Sequence, residues 1–284
     1  MPLRSGFLPR SAVQTCVLFT RQEPFSVASI STTYSFWERS MAIGTRHWHR
    51  LGFERELWRQ GTSLVAGVDE AGCGPLAGPV VAAAVIFPCG WLESGLHSKL
   101  RGLNDSKQLA EEQREKYFSV ITAHDEIKYA VAVVDAEMID RINILQAAHR
   151  AMNLALEQLN PAPQHVLVDG RPVKSLRFPH TPLVKGDCRS YSIAAASVLA
   201  KVTRDRMMVA FDKQFPGYGF AEHKGYATPQ HYAAIAAHGP CAIHRRSFSP
   251  FRPVAEAMEL FPEALLEDLA ERTDRSQPPP TSAP

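Results

Sequence analysis

An apolar run at residues 64–68 ends abruptly in two adjacent acids, Asp69 and Glu70, followed at once by Gly72-Cys73-Gly74-Pro75. Carboxylates that close a buried strand resist desolvation, so a chain that keeps them there must bring them to a rim where ligand or solvent can reach them. Two later apolar stretches end in the same way. Residues 165–168 run into Asp169-Gly170, and residues 183–184 run into Lys185-Gly186-Asp187. Strand ends in a domain of mixed strands and helices share one rim. Four carboxylates gathered there repel each other unless a cation sits among them, and an all-oxygen set suits Mg²⁺ or Mn²⁺. Zinc would need His or Cys at spacings the chain lacks. Taken singly, Asp169-Gly170 reads as a turn and Asp187 as a helix N-cap. The combination points to a metal centre. The glycines of 72–74 either let backbone N–H groups approach a ligand or simply turn the chain into the next strand.

Hydrophobic patterning supplies the frame for these acids. Apolar stretches at 64–68, 79–87 and 127–134 predict three consecutive strands. Met138, Ile142, Leu145, Ala148, Met152 and Leu156 recur at steps of three or four and predict one helix over 135–159. Short strands at 165–168 and 183–184 and a long helix over 190–211 follow. The order predicts an α/β fold, a mixed sheet with helices packed on it. Residues 1–50 differ in texture, with six Arg against Glu23 and Glu38 and many Ser and Thr. This reads as a poorly structured extension. Its composition is that of an organellar transit peptide or, the favoured reading, of a start placed too early, with the true first residue at Met41. The chain is expected to carry its catalytic domain at 51–252, a helical segment at 253–275 and a disordered tail at 276–284.

Charge distribution and cysteine usage limit the partners. Residues 170–252 hold 13 Lys and Arg against 4 Asp and Glu, whereas 253–284 hold 2 against 7. A basic stretch of this kind suits a polyanion, although a surface balanced by other parts of the fold would have the same composition. Five cysteines without a C-x-x-C pair argue against a disulfide framework or structural zinc and for a reducing compartment, here the cytoplasm. No apolar run has the roughly 18 to 20 residues of a membrane span.

With these residues in place, the chain resembles ribonuclease HII. The family's first block stands as AGVDEAGCGPLAGPVVAAAVI at 66–86 and its second as LNDSKQL at 103–109. DRINILQAAHRAM at 140–152, HVLVDG at 165–170 and VKGDCRSYSIAAASVLAKVTRDR at 184–206 follow in order. FPGYGFAEHKGYATPQH at 215–231 and GPCAIHRRSF at 239–248 complete the set. The resemblance spans residues 53–252. It implies a ribonuclease H-like fold and an endonuclease that hydrolyses the RNA strand of RNA–DNA hybrids. It also implies cutting at ribonucleotides embedded in duplex DNA, as in primer removal and ribonucleotide excision repair. Two divalent ions would be held by Asp69, Glu70, Asp169 and Asp187, and the products would carry 5′-phosphate and 3′-hydroxyl ends. A monomer suffices for this chemistry.

The same resemblance assigns substrate contacts. Gly72, Cys73 and Gly74 match the family's Gly-Arg-Gly segment, which reads the 2′-hydroxyl beside the cut. Cys73 stands where Arg is usual, so the backbone contacts survive and the guanidinium contact does not; Arg189 is a candidate replacement. Tyr226, in HKGY, matches the tyrosine that packs on the deoxynucleotide sugar after an RNA-to-DNA junction. Lys107 is expected to touch backbone phosphate, and His244-Arg245-Arg246 reads as a phosphate-contacting basic patch or an ordinary surface cluster. Ribonuclease HIII, with the same reaction, usually carries a longer amino-terminal domain than residues 1–62 allow.

Overall fold

The computed structural model describes residues 50–251; the expectations for 1–49 and for the segments beyond 251 lie outside them. Five strands form one sheet: β1 (Val65–Ala71), β2 (Val80–Ile86), β3 (Lys128–Val134), β4 (His165–Asp169) and β5 (His180–Leu183). Their order is β3-β2-β1-β4-β5. The first three are antiparallel neighbours, while β4 and β5 run parallel to β1. The predicted mixed sheet is therefore present, with β5 three residues earlier than expected.

Helices cover both faces. On one side lie α1 (Gly52–Arg59), the short α2 (Trp91–Ser94), α3 (Glu111–Ala123) and, further along the chain, a long helix at Tyr191–Gln214. On the other lie α4 (Ala136–Ile142) and α5 (Ile144–Glu157). Counting along the chain, the long helix is α6, followed by α7 (Phe220–His223) and α8 (Pro229–His238). Strand β2 is buried at every residue. Val81, Ala83 and Val85 face the α6 side, and Val80, Ala82, Ala84 and Ile86 face the α5 side. That is the period of two expected of a strand buried on both faces, which reads in sequence as a continuous apolar run.

Small residues bring α6 close to the sheet. A Cβ placed on Gly67 would lie 2.2 Å from the Ser192 carbonyl carbon, so helix and strand meet backbone to backbone there. Ala194, Ala195 and Ala196 continue the fully buried contact. This closeness fixes the amino end of α6, which follows the turn holding Asp187, relative to the middle of β1, the strand that carries Asp69 and Glu70.

The helix expected over 135–159 is two helices. Asn143 takes φ 67°, caps α5 by accepting from the Gln146 N–H, and so ends α4. Asp135 caps α4 in the same manner, accepting from the Met138 N–H. Short polar side chains offer the backbone this alternative to a continuous helix, and a 3.6-residue period does not register the interruption. Helices α1, α3 and α8, absent from the sequence expectations, complete the domain.

Candidate active site

Strand β1 does not end at its acids. It continues through Asp69 and Glu70 to Ala71, paired with β2, while its pairing with β4 stops at Val68 opposite Val168. The side of β1 next to β4 is thus open where the acids begin. Successive strand residues point to opposite faces. Asp69 turns toward α6, where the Ser197 hydroxyl donates to it. Glu70 turns the other way, and the Cys73 thiol donates to its Oε1 at 3.6 Å. Asp169 is the last residue of β4, and its Oδ1 accepts from the Gly186 N–H at 2.6 Å. Asp187 sits in a 3₁₀ turn at Gly186–Cys188, entered through Lys185 in the left-handed region at φ 55°. Ser190 caps α6, so Asp187 is not the cap that its position suggested.

Carboxylate oxygens of Asp69, Asp169 and Asp187 lie within 4.8 Å of one another. Glu70 stands beside them, close enough to repel Asp69 and to feel Asp169. Burial first, then repulsion from Glu70 and Asp169, holds Asp69 well above the usual carboxylate range. Burial also raises Glu70 against the thiol hydrogen bond from Cys73, with Asp169 adding to the rise. Asp187 is raised by burial and then by Asp169 and Asp105. Acids that push each other's protons on are short of positive charge. Their donors are all oxygen, which fits a hard divalent cation. Asp105, Asp187 and Cys188 form a second such group sharing Asp187.

Other predicted residues surround this cluster. Lys107 is exposed at its edge. Burial works against its charge, but Asp105, then Asp69, outweigh that and raise its pKa. Its neighbour Ser106 is buried and shares a 2.9 Å hydrogen bond with Ser197, the residue that bonds Asp69. Tyr226 is 41% exposed, and its Cε1 lies 3.9 Å from where a Cβ on Gly74 would stand. Cys73 is half-buried; burial and then the Glu70 charge push its thiol up to about 12, so it stays protonated at neutral pH. Arg189 donates to the Val184 carbonyl and lies over the Phe53 ring.

The basic cluster His244-Arg245-Arg246 needs correction. Arg246 is exposed, but His244 and Arg245 are buried, at 2% and 0% exposure, and cannot meet a phosphate. Arg245 lies beneath the 72–79 loop. It donates to the carbonyls of Gly72 (2.5 Å), Cys73 (3.0 Å), Gly78 (3.0 Å) and Pro79 (3.2 Å). Arg204, equally buried on α6, donates to those of Ala77, Pro79 and Lys224. Neither makes a salt bridge with a carboxylate among the described residues. In a trans peptide the C=O of one residue and the N–H of the next point in opposite directions. With the Gly72 and Cys73 carbonyls drawn inward, the N–H groups of Cys73 and Gly74 point away from the two arginines. Gly72 is required as glycine: its φ is +99°, and a Cβ would meet Arg204 Nε at 2.2 Å.

Residue types alone did not mark Arg204, Ser106 or Ser197, and they marked Arg245 for the surface and not for the loop it holds. Glu54 was also missed. It is wholly buried on α1, and its Oε1 accepts from both Ser190 and Ser192 hydroxyls, tying α1 to the start of α6 beside Asp187. In the sequence, the placement of Ser106 inside block 103–109, of Ser197 and Arg204 inside 184–206 and of Arg245 inside 239–248 hinted at a role, whereas Glu54 lies outside every block.

A five-strand mixed sheet covered by helices on both faces, with an all-carboxylate cluster at the end of β4, defines a metal-dependent nuclease of the ribonuclease H-like class. Residues 66–250 match the family model described as Ribonuclease HII. The chain is 46% identical over 237 residues to a ribonuclease HII of Myxococcus xanthus, covering 80% of this chain and 78% of that one. It is 53% identical over 202 residues to one of Geobacter metallireducens, covering 69% and 91%. The crystal structure of ribonuclease H2 from Pyrococcus horikoshii superposes with a TM-score of 0.56 at 29% identity, covering 69% of this chain and 98% of that one. The chain belongs to the ribonuclease HII family. It is accordingly an endoribonuclease, a hydrolase of RNA paired with DNA. No helix among the described residues is long and apolar enough to cross a membrane.

Proposed function

We propose that Asp69, Glu70, Asp169 and Asp187 hold two divalent ions, Mg²⁺ or Mn²⁺. With them the chain cuts the RNA strand of hybrids and cuts at single ribonucleotides embedded in duplex DNA. The observation that carries this reading is the approach of three carboxylates to within 4.8 Å, with Glu70 beside them. When bound, such ions activate the attacking water and stabilise the leaving 3′ oxygen. Water adds to the phosphorus, the bond from phosphorus to the 3′ oxygen breaks, and 5′-phosphate and 3′-hydroxyl ends remain.

The chain's own groups position the substrate. Outward N–H groups of Cys73 and Gly74 donate to the ribose edge beside the cut, which separates RNA from DNA. Cys73 contributes through its backbone, since its side chain is turned to Glu70. The Tyr226 ring packs on the sugar next to Gly74, and Lys107 offers its charge to a backbone phosphate. Residues 51–252 form the catalytic domain in this reading, acting as a monomer in the cytoplasm.

The test is a DNA duplex with one embedded ribonucleotide, incubated with Mg²⁺, Mn²⁺ or chelator. Cleavage with either metal and none with chelator is expected; an uncut duplex under all conditions contradicts the reading. Tyr226→Ala should slow this substrate about tenfold or more, the scale of one lost stacking contact, while a long hybrid slows less. Equal slowing of both would assign Tyr226 to the core instead.

A further inference from the structure

Behind Tyr226 lies a chain of histidines that the reaction does not use. His231 and His244 are buried at 0% and 2% exposure, and His223 at 9%. His231 Nδ1 lies 2.9 Å from the Tyr226 carbonyl oxygen. A carbonyl only accepts, so Nδ1 carries the proton and Nε2 of the same ring is an acceptor. That Nε2 is 3.1 Å from His244 Nε2. His244 Nδ1 accepts from the Cys241 N–H at 2.9 Å, which leaves its proton on Nε2, aimed at His231. One proton per ring satisfies every contact, and the row has a single direction, from Cys241 through both rings to Tyr226.

His223 closes the other side. Its Nε2 donates to the Tyr218 carbonyl at 2.7 Å, its Nδ1 accepts from the Gly225 N–H, and its ring stacks on His231 at 4.4 Å. Phe220 meets both His231 and His244 edge-on or tilted. The charged and titratable groups around His244 are His231, His223, Cys241, Tyr218 and Arg246. Burial first, then His231, lowers its pKa to about 4, so the His244 ring is neutral at working pH, and burial lowers His231 in the same direction.

We propose that His231, held in its Nδ1–H form by His244, is a positioning residue that sets the height of Tyr226 against Gly74. It thereby sets the preference for RNA-to-DNA junctions over long hybrids. The proposal rests on the reading of Tyr226 as the aromatic that packs on the junction sugar. Geometry supports a strut rather than filler. The Tyr226 carbonyl is fixed from one side by His231 and from another by the Thr228 N–H. The Gly225 carbonyl in turn accepts from the Leu76 N–H, joining the Tyr226 turn to the catalytic loop. Gly225 has φ +82°, and a Cβ there would meet the Ala77 oxygen at 2.5 Å, so this turn has no slack of its own.

Two isosteric variants separate the strut from packing. His231→Asn puts an amide N–H where Nδ1 stands and keeps the bond to Tyr226. His231→Gln reaches only as far as Nε2 and keeps the contact with His244. The ratio of junction to long-hybrid cleavage should fall about five- to tenfold in His231→Gln, the scale of one lost hydrogen bond, and stay near wild type in His231→Asn. Equal ratios in the two variants overturn the proposal. A second measurement does not depend on activity or on substitution. In ¹⁵N-histidine-labelled protein, two-bond ¹H–¹⁵N correlations should report His231 as the Nδ1–H tautomer and His244 as Nε2–H. Either ring in the opposite form overturns the strut. Tyr226→Ala, assayed in parallel, isolates the underlying reading. An unchanged ratio there rejects Tyr226 as the junction residue, while the tautomers still decide the strut.

Discussion

With Asp69 as a proposed metal ligand, replacing it by Asn should reduce hydrolysis of a hybrid by about three orders of magnitude or more, because a lost metal site forfeits several kcal/mol of transition-state stabilisation at about 1.4 kcal/mol per decade. The same substitution stabilises the metal-free protein. Asp69 is buried, and Glu70 and Asp169 oppose its charge, so its folded pKa lies above the unfolded one. For an acid shifted in that direction, stability is full below the unfolded pKa and is lost as pH rises through the folded value. At pH 7 the wild-type protein carries that loss and the Asn variant does not. Melting curves in chelator should therefore place Asp69→Asn above wild type. Adding Mn²⁺ should raise the wild-type midpoint by mass action and leave the variant unmoved. A variant that melts lower in chelator, or that keeps its rise with Mn²⁺, would remove Asp69 from the metal site.

Arg245→Met acts through the loop instead of the acids. The side chain is wholly buried, and its guanidinium holds four carbonyls of the 72–79 segment. Methionine fills most of the volume but leaves the Gly72, Cys73 and Gly78 carbonyls without this donor, while Pro79 keeps Arg204, at about 1–3 kcal/mol for each group that water cannot reach. We expect a loss of about 3–5 kcal/mol, comparable with breaking a buried charged network. For a domain of this size that is roughly 6–20 °C in Tm. Burial, then Arg204, lowers the Arg245 pKa to about 9, so it is still cationic at neutral pH. The variant should also show a raised KM for hybrid at a temperature where it is fully folded, since freed carbonyls let the Cys73 and Gly74 N–H groups turn. An unchanged melting midpoint would show that water replaces the guanidinium at no cost. An unchanged KM in the folded variant would show that the loop holds its shape without it.

Both effects trace to residues of different legibility. Asp69, Glu70, Asp169 and Asp187 were legible as a set, since Asp169 alone reads as a turn and Asp187 as a cap, and only the recurrence of acids after apolar runs points to one site. The strands that carry them were legible for the same reason, and the sheet appears where the apolar runs stand. The long helix at α6 was visible from its alanines. Its closeness to β1 was not, because it depends on Gly67 lying under Ser192. The break at Asn143 was missed because an apolar period continues across it while the capping side chain redirects the backbone.

The buried polar groups lay further out of reach. Arg245 bonds the Gly72 carbonyl across 173 positions, and Arg204 bonds Ala77 across 127. Backbone carbonyls have no residue type, so no pattern of letters pairs with such an arginine. Read as a string, His244-Arg245-Arg246 has the composition of an exposed patch. The structure buries the first two because α8 and the turn at 241–245 fold back onto Ala77.

Composition and order of residues by themselves pointed to the chemistry, an all-oxygen acid set suited to a divalent cation, and to the strands that carry Asp69, Glu70 and Asp169. Only the tertiary structure decided how those ligands divide between the two faces of β1, which arginines turn the glycine loop outward, and which histidines stand behind Tyr226. The physical reason is that hydrophobic burial is written in residue type and period. The partner of a buried polar group is chosen by distance alone, and distance exists only after the chain has folded.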